Sequence, residues 1–326
     1  MDVRWISAGR IEDCEPSQLQ ALMARTDGIV WVDVPVFDDA AEAILAPALG
    51  LHEHAIRDLR VRSHVPKVHP YPGHLLIVLH APEAGDPGHV HLVELDQVLG
   101  PNYLLTTHGP LGEGVTAEAA TRETSRTLAR ITSGEFQPGS AADLSYAMVS
   151  ALARRQEALV SAIASRIAAL EQLVRRPGNE DPEDVLERMF LTRHELLTVR
   201  TMAHQSREIY GRILARGRLP VEARHLFEDL ADQFERVRSI GDGEKEFLQG
   251  AIDFFQSRTA TKMNIAMERL ALIAAIVLPV TAIASIYGMN VIVSERTDTR
   301  QLFVALAAMG VIIALMLAWA RRHGWW

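Results

Sequence analysis

Asn264, Met267, Ala271, Ala274, Leu278, Thr281, Ser285 and Gly288 recur at alternating steps of three and four residues. That spacing puts them on one lane of a helix. Apart from Met267 and Leu278 the members are small or weakly polar. Asn264 stands at one end, Asn290 lies just past the other, and Thr281 and Ser285 fall between. The lane offers amide and hydroxyl oxygens and no charge, so it holds no carboxylate that would strip an ion of its water. Oxygens of this kind suit hydrogen bonding to a hydration shell, and a small divalent cation such as Mg²⁺ releases its waters reluctantly. The opposite lanes hold Leu272, Ile276, Ile283 and Ile286, which suit lipid or a neighbouring helix. A stripe of small residues serves close helix packing equally well, and spacing alone leaves both readings open.

The element that carries the lane is set by its surroundings. Leu270–Ser294 has no charged residue, nor does Gln301–Ala320. A bilayer core takes about 20 apolar residues of helix, and unpaired backbone groups are too costly there for any irregular crossing. Two charge-free runs side by side argue for two membrane spans over a pair of buried helices in a soluble protein. A two-span hairpin leaves both chain ends on one side. Arg321, Arg322, Lys262 and Arg269 gather there, whereas the connecting loop balances Arg296 and Arg300 with Glu295 and Asp298. Basic residues collect on the cytoplasmic side, so both termini are expected in the cytoplasm, with Trp325 and Trp326 at the interface. One pair of spans cannot enclose a channel, so an aqueous path requires an oligomer.

Composition limits the alternatives. The 326 residues are 48% hydrophobic with a formal charge of -8, and the mean hydropathy is +0.05. That is too polar for a many-span protein and fits a large soluble part with one small membrane segment. Cys14, the single cysteine, forms no internal disulfide framework and suits a reducing compartment. The start, MDVRWISAGR, lacks the apolar core of a signal peptide. The acidic balance argues against nucleic acid as a partner. His52 with His54, and His89 with His91, are close pairs, but no cysteine nearby completes a zinc set, and surface or internally satisfied histidines are the simpler reading. No phosphate loop, nucleophile elbow or His-Glu-x-x-His motif occurs, so an enzyme is not expected.

Three parts follow along the chain: an α/β domain over 1–110, a helical stalk over 111–262, and a transmembrane domain over 263–326 with spans near 270–290 and 301–320. Strand-type runs are Val3–Ser7, Ile29–Val34, Leu75–His80, Val90–Leu99 and Tyr103–Thr107, bounded by Gly and Pro turn signals. Helix-type pieces are Ser17–Arg25 with Ser17 as cap, Asp38–Leu49 and His52–Leu59. Thr116–Ile131 reads as one surface helix and Thr132–Ser140 as a loop. Apolar periodicity gives a long helix over Ala141–Val174, ended by Pro177-Gly178-Asn179. A second helix starts at Pro182 and runs to about Ala215, before Gly217 and Pro220. From Val221 no Pro intervenes until Pro279. Gly241-Asp242-Gly243 would be the place for a break, but apolar spacing resumes at Phe247 and Leu248, favouring one helix that runs into the first span.

Tyr287-Gly288-Met289-Asn290, closing the first of two C-terminal spans, resembles the signature of the CorA family of divalent-cation transporters, and the stretch from Lys245 up to it resembles the family along its length. Ala55-Ile56-Arg57-Asp58-Leu59, Pro66-Lys67-Val68, LLIVLH and GPNYLLTTH resemble the family's cytoplasmic domain. The resemblance implies an α+β fold: a cytoplasmic α/β domain, long stalk helices forming a funnel, and two transmembrane helices, assembled as a homopentamer in a bacterial-type inner (plasma) membrane. First spans would line the pore and second spans surround them. Gly288, Met289 and Asn290 would form the selectivity filter, and Asn264 a second polar ring. Met267, Leu270, Ala274 and Leu278 fall at the family's hydrophobic constriction, with Ala271, Thr281 and Ser285 completing the pore lining. Regulation in the family rests on acidic residues that bind Mg²⁺ between neighbouring domains and hold the pore shut. Asp229, in Phe227-Glu228-Asp229-Leu230, resembles such a position, with Asp86 as its partner; solvated charges on a helix face are the competing reading. The cargo implied is Mg²⁺, with Co²⁺ and Ni²⁺. The loop VIVSERTDTRQ lacks the family's frequent Met-Pro-Glu-Leu, Glu268 stands where a basic residue is usual, and Ala271 where Thr is usual. These departures keep open Zn²⁺ transport of the ZntB type, proton-coupled or not. A membrane-tethered sensor or scaffold that conducts nothing is the third alternative.

Overall fold

A computed structural model describes residues 1–7, 9–175, 181–216, 221–288 and 299–322. The chain divides into two compact units, Met1–Ala251 and Ile252–Trp326. In the first, β1 (Asp2–Ser7), β2 (Arg10–Cys14), β3 (Ile29–Val34), β4 (Lys67–Tyr71), β5 (His74–Ala84), β6 (Val90–Leu99) and β7 (Tyr103–Thr107) form one seven-stranded sheet ordered β2-β1-β3-β7-β6-β5-β4. All neighbours pair antiparallel except β3 with β7.

Helices cover both faces of the sheet, and strand alternation divides the side chains between them. Val30, Val32, Val34, Val78 and Leu105 pack with Ala41, Leu45 and Leu49 of α2 (Asp39–Leu49) and with Ala55 and Leu59 of α3 (Glu53–Arg60). Trp31, Ile77, Leu79, Leu95 and Leu104 face the other way, onto Leu144, Met148 and Leu152 of the long helix Ala141–Arg175. The central strands are buried on both sides, so they read as near-continuous apolar runs.

Some boundaries differ from the sequence reading. The edge strands β2 and β4 carry no clear alternation: β2 is largely exposed, and β4 holds Pro70, which only an edge tolerates because it has no N–H to donate. The expected Leu75–His80 strand extends over His74–Ala84. Ser17 does not cap a helix. It lies inside a 3₁₀ turn, Pro16–Gln18, with Glu15 as the capping residue, and α1 follows as Leu19–Met23. The expected surface helix over Thr116–Ile131 is broken at Thr121 into α4 (Ala117–Ala120) and α5 (Arg122–Thr132). Its inner face is buried, because Glu123 turns inward to meet Arg155. Asp38 and His52 cap α2 and α3 through backbone N–H groups of Ala41 and His54.

Three long helices follow: α6 (Ala141–Arg175), α7 (Pro182–Ala215) and α8 (Val221–Gly288). The stop signals at Pro177-Gly178-Asn179, Gly217 and Pro220 lie outside the described residues. In α8 the helix continues through Gly241-Asp242-Gly243. A Cβ on Gly241 would sit 3.1 Å from Cβ of Arg200 on α7, so this glycine serves close helix contact, and Asp242 pairs with Arg200 and, at 2.5 Å, with Arg238.

The second unit consists of the remainder of α8 and α9 (Thr299–Arg322). Both helices contain windows long and apolar enough to cross a membrane, with 6% of each window buried. Core helices of a soluble protein would be mostly covered.

A polar cluster interrupts the sheet's apolar face. His80 stands opposite Glu94 in the β5–β6 ladder, and Asp96 follows on the same face. All three are buried. His80 Nε2 lies 2.6 Å from the Ser63 carbonyl, the Ser63 N–H donates to Glu94 at 2.8 Å, and the Thr107 hydroxyl donates to Asp96 at 3.1 Å. Burial pushes His80 down to about 4; the charges of Arg62 and His64 act with it and the Ser63 carbonyl against it. Burial first, then the charge of Glu94, raises Asp96 well above the usual carboxylate range. A histidine kept neutral contributes stability that is present above its unfolded value near 6.5 and lost as pH falls towards about 4. Asp96 has the opposite slope, since its stabilisation is lost as pH rises. Each contribution is therefore read against a variant. Between pH 6.5 and 4, the thermal stability of His80→Gln should rise relative to the parent chain by roughly 3 kcal/mol. A difference that does not change with pH would contradict the assignment.

Candidate functional site

Asn264, Met267, Leu270, Ala271, Ala274, Leu278, Thr281, Ser285 and Gly288 all lie on α8, and all are exposed in the single chain. Among them, Leu270 is 65% and Leu278 67% exposed. The opposite lane is treated differently. Leu272 is 6% exposed, and Ile276 and Ile283 are half-buried, although Ile286 is open. Within the second unit Leu272 is thus covered and the small and polar lane is open, as are the apolar Ile273 (58%) and Val277 (51%). Met289 and Asn290 lie outside the described residues.

Two local features bear on this lane. The Thr281 hydroxyl donates back to the Val277 carbonyl at 2.8 Å, so the oxygen keeps its acceptor capacity for a water. Pro279 sits inside α8 and has no N–H, which withdraws the usual intrahelical partner from the Ala275 carbonyl. Backbone acceptors released in this way are tolerated at membrane depth where protein or water can reach them.

Asp229 lies on the part of α8 that belongs to the first unit. The stack of Tyr210 on α7 against Phe227 and Phe234, at centroid distances of 5.6 and 5.9 Å, fixes this stretch to α7. Asp229 is exposed, and its Oδ2 accepts from the Tyr146 hydroxyl and from Gln233 Nε2, both at 2.6 Å. Burial and then this carboxylate raise the Tyr146 phenol above its ordinary value. Asp86 is exposed in the β5–β6 turn, where its carbonyl accepts from the His89 N–H at 2.8 Å. Glu195 of α7 fastens that turn by accepting from the Gly88 N–H at 2.8 Å, and it is itself paired with Arg166. The two proposed regulatory carboxylates are therefore held by different elements, Asp229 by α6 and its own helix, Asp86 by a turn anchored on α7.

Among the described residues no group of three or more His, Cys, Asp or Glu is arranged to hold a metal ion. His89 and His91 meet edge to face at 4.7 Å, and His52 stacks on Tyr71 at 4.7 Å. The Glu195 clamp and a second network, in which Glu83 takes both Arg122 and Arg155 while Glu123 takes Arg155, had no local signal in the sequence. Their partners lie on different elements, and only the fold brings them together.

A family profile described as "CorA-like Mg2+ transporter protein" matches residues 26–322. The chain is 26% identical over 284 residues to the cobalt/magnesium transport protein CorA of Thermotoga maritima, covering 85% of this chain and 77% of that one. Its fold is similar to the complete CorA magnesium transporter from Methanocaldococcus jannaschii, with a TM-score of 0.79 at 19% identity over 100% of this chain and 99% of that one. It is also similar to the ZntB cytoplasmic domain from Vibrio parahaemolyticus, with a TM-score of 0.59 at 12% identity over 81% of this chain and 98% of that one. An α/β domain, long helices and two C-terminal apolar helices make up the shared architecture. The chain belongs to the CorA-like Mg²⁺ transporter family, whose members are membrane transporters of divalent cations and not enzymes.

Proposed function

We propose that the chain forms a homopentameric channel for hydrated Mg²⁺, also passing Co²⁺ and Ni²⁺, in a bacterial-type inner membrane with both termini in the cytoplasm. The observation that carries this reading is the uncharged lane of α8, small or weakly polar apart from Met267 and Leu278, which stays open from Asn264 to Gly288 in the single chain. Five such lanes would enclose a path whose walls offer oxygens and no charge. A cation crossing it keeps most of its water, which suits Mg²⁺ because it dehydrates reluctantly. Gly288, Met289 and Asn290 form the filter, with the Asn290 amide meeting the hydrated ion. Met267, Leu270, Ala274 and Leu278 make an apolar ring that closes by dewetting, and Ala271, Thr281 and Ser285 complete the wall. The names of the Thermotoga and Methanocaldococcus relatives support the choice of cargo. Residues 1–110 and 111–262 act as cytoplasmic domain and stalk, and 263–326 as the membrane domain.

Mg²⁺ bound between neighbouring subunits by Asp229 and Asp86 favours the closed state. The exposure of both carboxylates supports this assignment. The likeness to the ZntB domain favours a second reading, Zn²⁺ transport coupled or not to protons.

In proteoliposomes, Asn290→Ala should lower Mg²⁺ uptake by roughly tenfold or more, the size expected when charge-assisted hydrogen bonds to a hydrated cation are lost. Unchanged uptake would remove the filter from the account, and Zn²⁺ uptake exceeding that of Mg²⁺ under a pH gradient would favour the second reading. Asp229→Ala should raise the Mg²⁺ concentration that protects the protein from protease by about tenfold. Protection at the parent concentration would exclude Asp229 from regulation.

A further inference from the structure

A groove of about 390 Å³ in the first unit runs between α5 and α6, walled by Arg122, Arg126, Arg130, Arg154 and Arg155. The first three recur every four residues and so share one face of α5. Like charges at that spacing repel, and carboxylates offset part of the cost. Glu83 takes Arg122 and Arg155, Glu123 takes Arg155, and Glu135 takes Arg130 at 3.2 Å. That leaves five guanidinium groups against three carboxylates, in a chain whose formal charge is -8.

The two remaining cations have no carboxylate partner among the described residues. Arg126 is exposed, and Arg154 donates to the Ser150 hydroxyl at 2.9 Å. Arg155 is 8% exposed, its two terminal nitrogens are held by Glu83 and Glu123, and its buried Nε has no partner among the described residues. The ion pairs fix the back wall, so little side-chain freedom is lost when a ligand enters. Ala151 and Ala158 leave an uncharged floor between the cations. Planar guanidinium forks match phosphoryl oxygens two at a time. A single carboxylate would occupy one fork, whereas a ligand with several phosphoryl groups would engage both helices.

We infer that this groove is a binding site for a multiply charged phosphoryl ligand, either a soluble polyphosphate or a phospholipid headgroup. The site is independent of the transport reading. The test is calorimetric titration of the full chain in neutral detergent with inorganic triphosphate, without divalent cations. Saturable binding is expected. Arg126→Gln combined with Arg154→Gln should weaken it at least about tenfold, since each charge-assisted bond carries about that factor or more. Glu135→Gln releases Arg130 and should tighten it, a gain that misfolding cannot imitate. Absence of saturable binding, or binding that neither variant alters, would overturn the proposal. In phosphatidylcholine nanodiscs, competition by added phosphatidylinositol bisphosphate, which carries several phosphoryl groups, would assign the site to a lipid headgroup, and lack of competition to a soluble ligand; both outcomes retain the site.

Discussion

Hydrocarbon offers no hydrogen-bond partner to a peptide group, and the C-terminal quarter of this chain is built under that constraint. Every N–H and C=O within the layer must be satisfied inside the segment, so the crossing is helical. A helix forces a period near 3.6 on its side chains, and any functional surface must appear as a lane. In α8 that lane is small, polar and uncharged, while Leu272 on the other side is covered. The absence of charge keeps the crossing affordable for the helix, and it also restricts what the lane can do to an ion. It can bind the water around a cation, but it has no anionic group with which to replace that water.

The first unit meets a different requirement. A helix of 68 residues draws little stability from propensity alone and depends on packing. Phe227 and Phe234 stack on Tyr210, Gly241 admits the side-chain stem of Arg200, and Asp242 pairs with that same arginine. These contacts hold the stretch that carries Asp229 against α7. Glu83, Glu123 and Glu195 tie β5, α5, α6 and α7 together through arginine, and Glu195 also holds the β5–β6 turn by accepting from the Gly88 N–H. A buried carboxylate is tolerated where an arginine supplies both charge and hydrogen bonds.

Most of this architecture was legible because the periods are unambiguous. Ile29–Val34, Val90–Leu99 and Tyr103–Thr107 matched strands residue for residue, since apolar β-branched and aromatic runs lay between clear turns. The unbroken path of α8 followed from apolar spacing that resumed at Phe247. The edge strands β2 and β4 were missed because an edge has little apolar face to betray it. The break at Thr121 had no Gly or Pro to mark it, and the inward turn of Glu123 depends on Arg155, which lies on another helix. Of the site, the lane was visible as spacing, whereas its exposure needed the fold. Met289 and Asn290 still rest on the motif they complete.

The most direct test asks which side of α8 meets water in the membrane. With the single native cysteine removed as Cys14→Ser, Thr281→Cys and Ser285→Cys would be compared with Ile276→Cys and Ile283→Cys in intact proteoliposomes. A charged, membrane-impermeant thiol reagent should modify the first pair, and that modification should block Mg²⁺ uptake, while the second pair stays unmodified. Labelling of the isoleucine positions with Thr281 and Ser285 untouched would contradict the account.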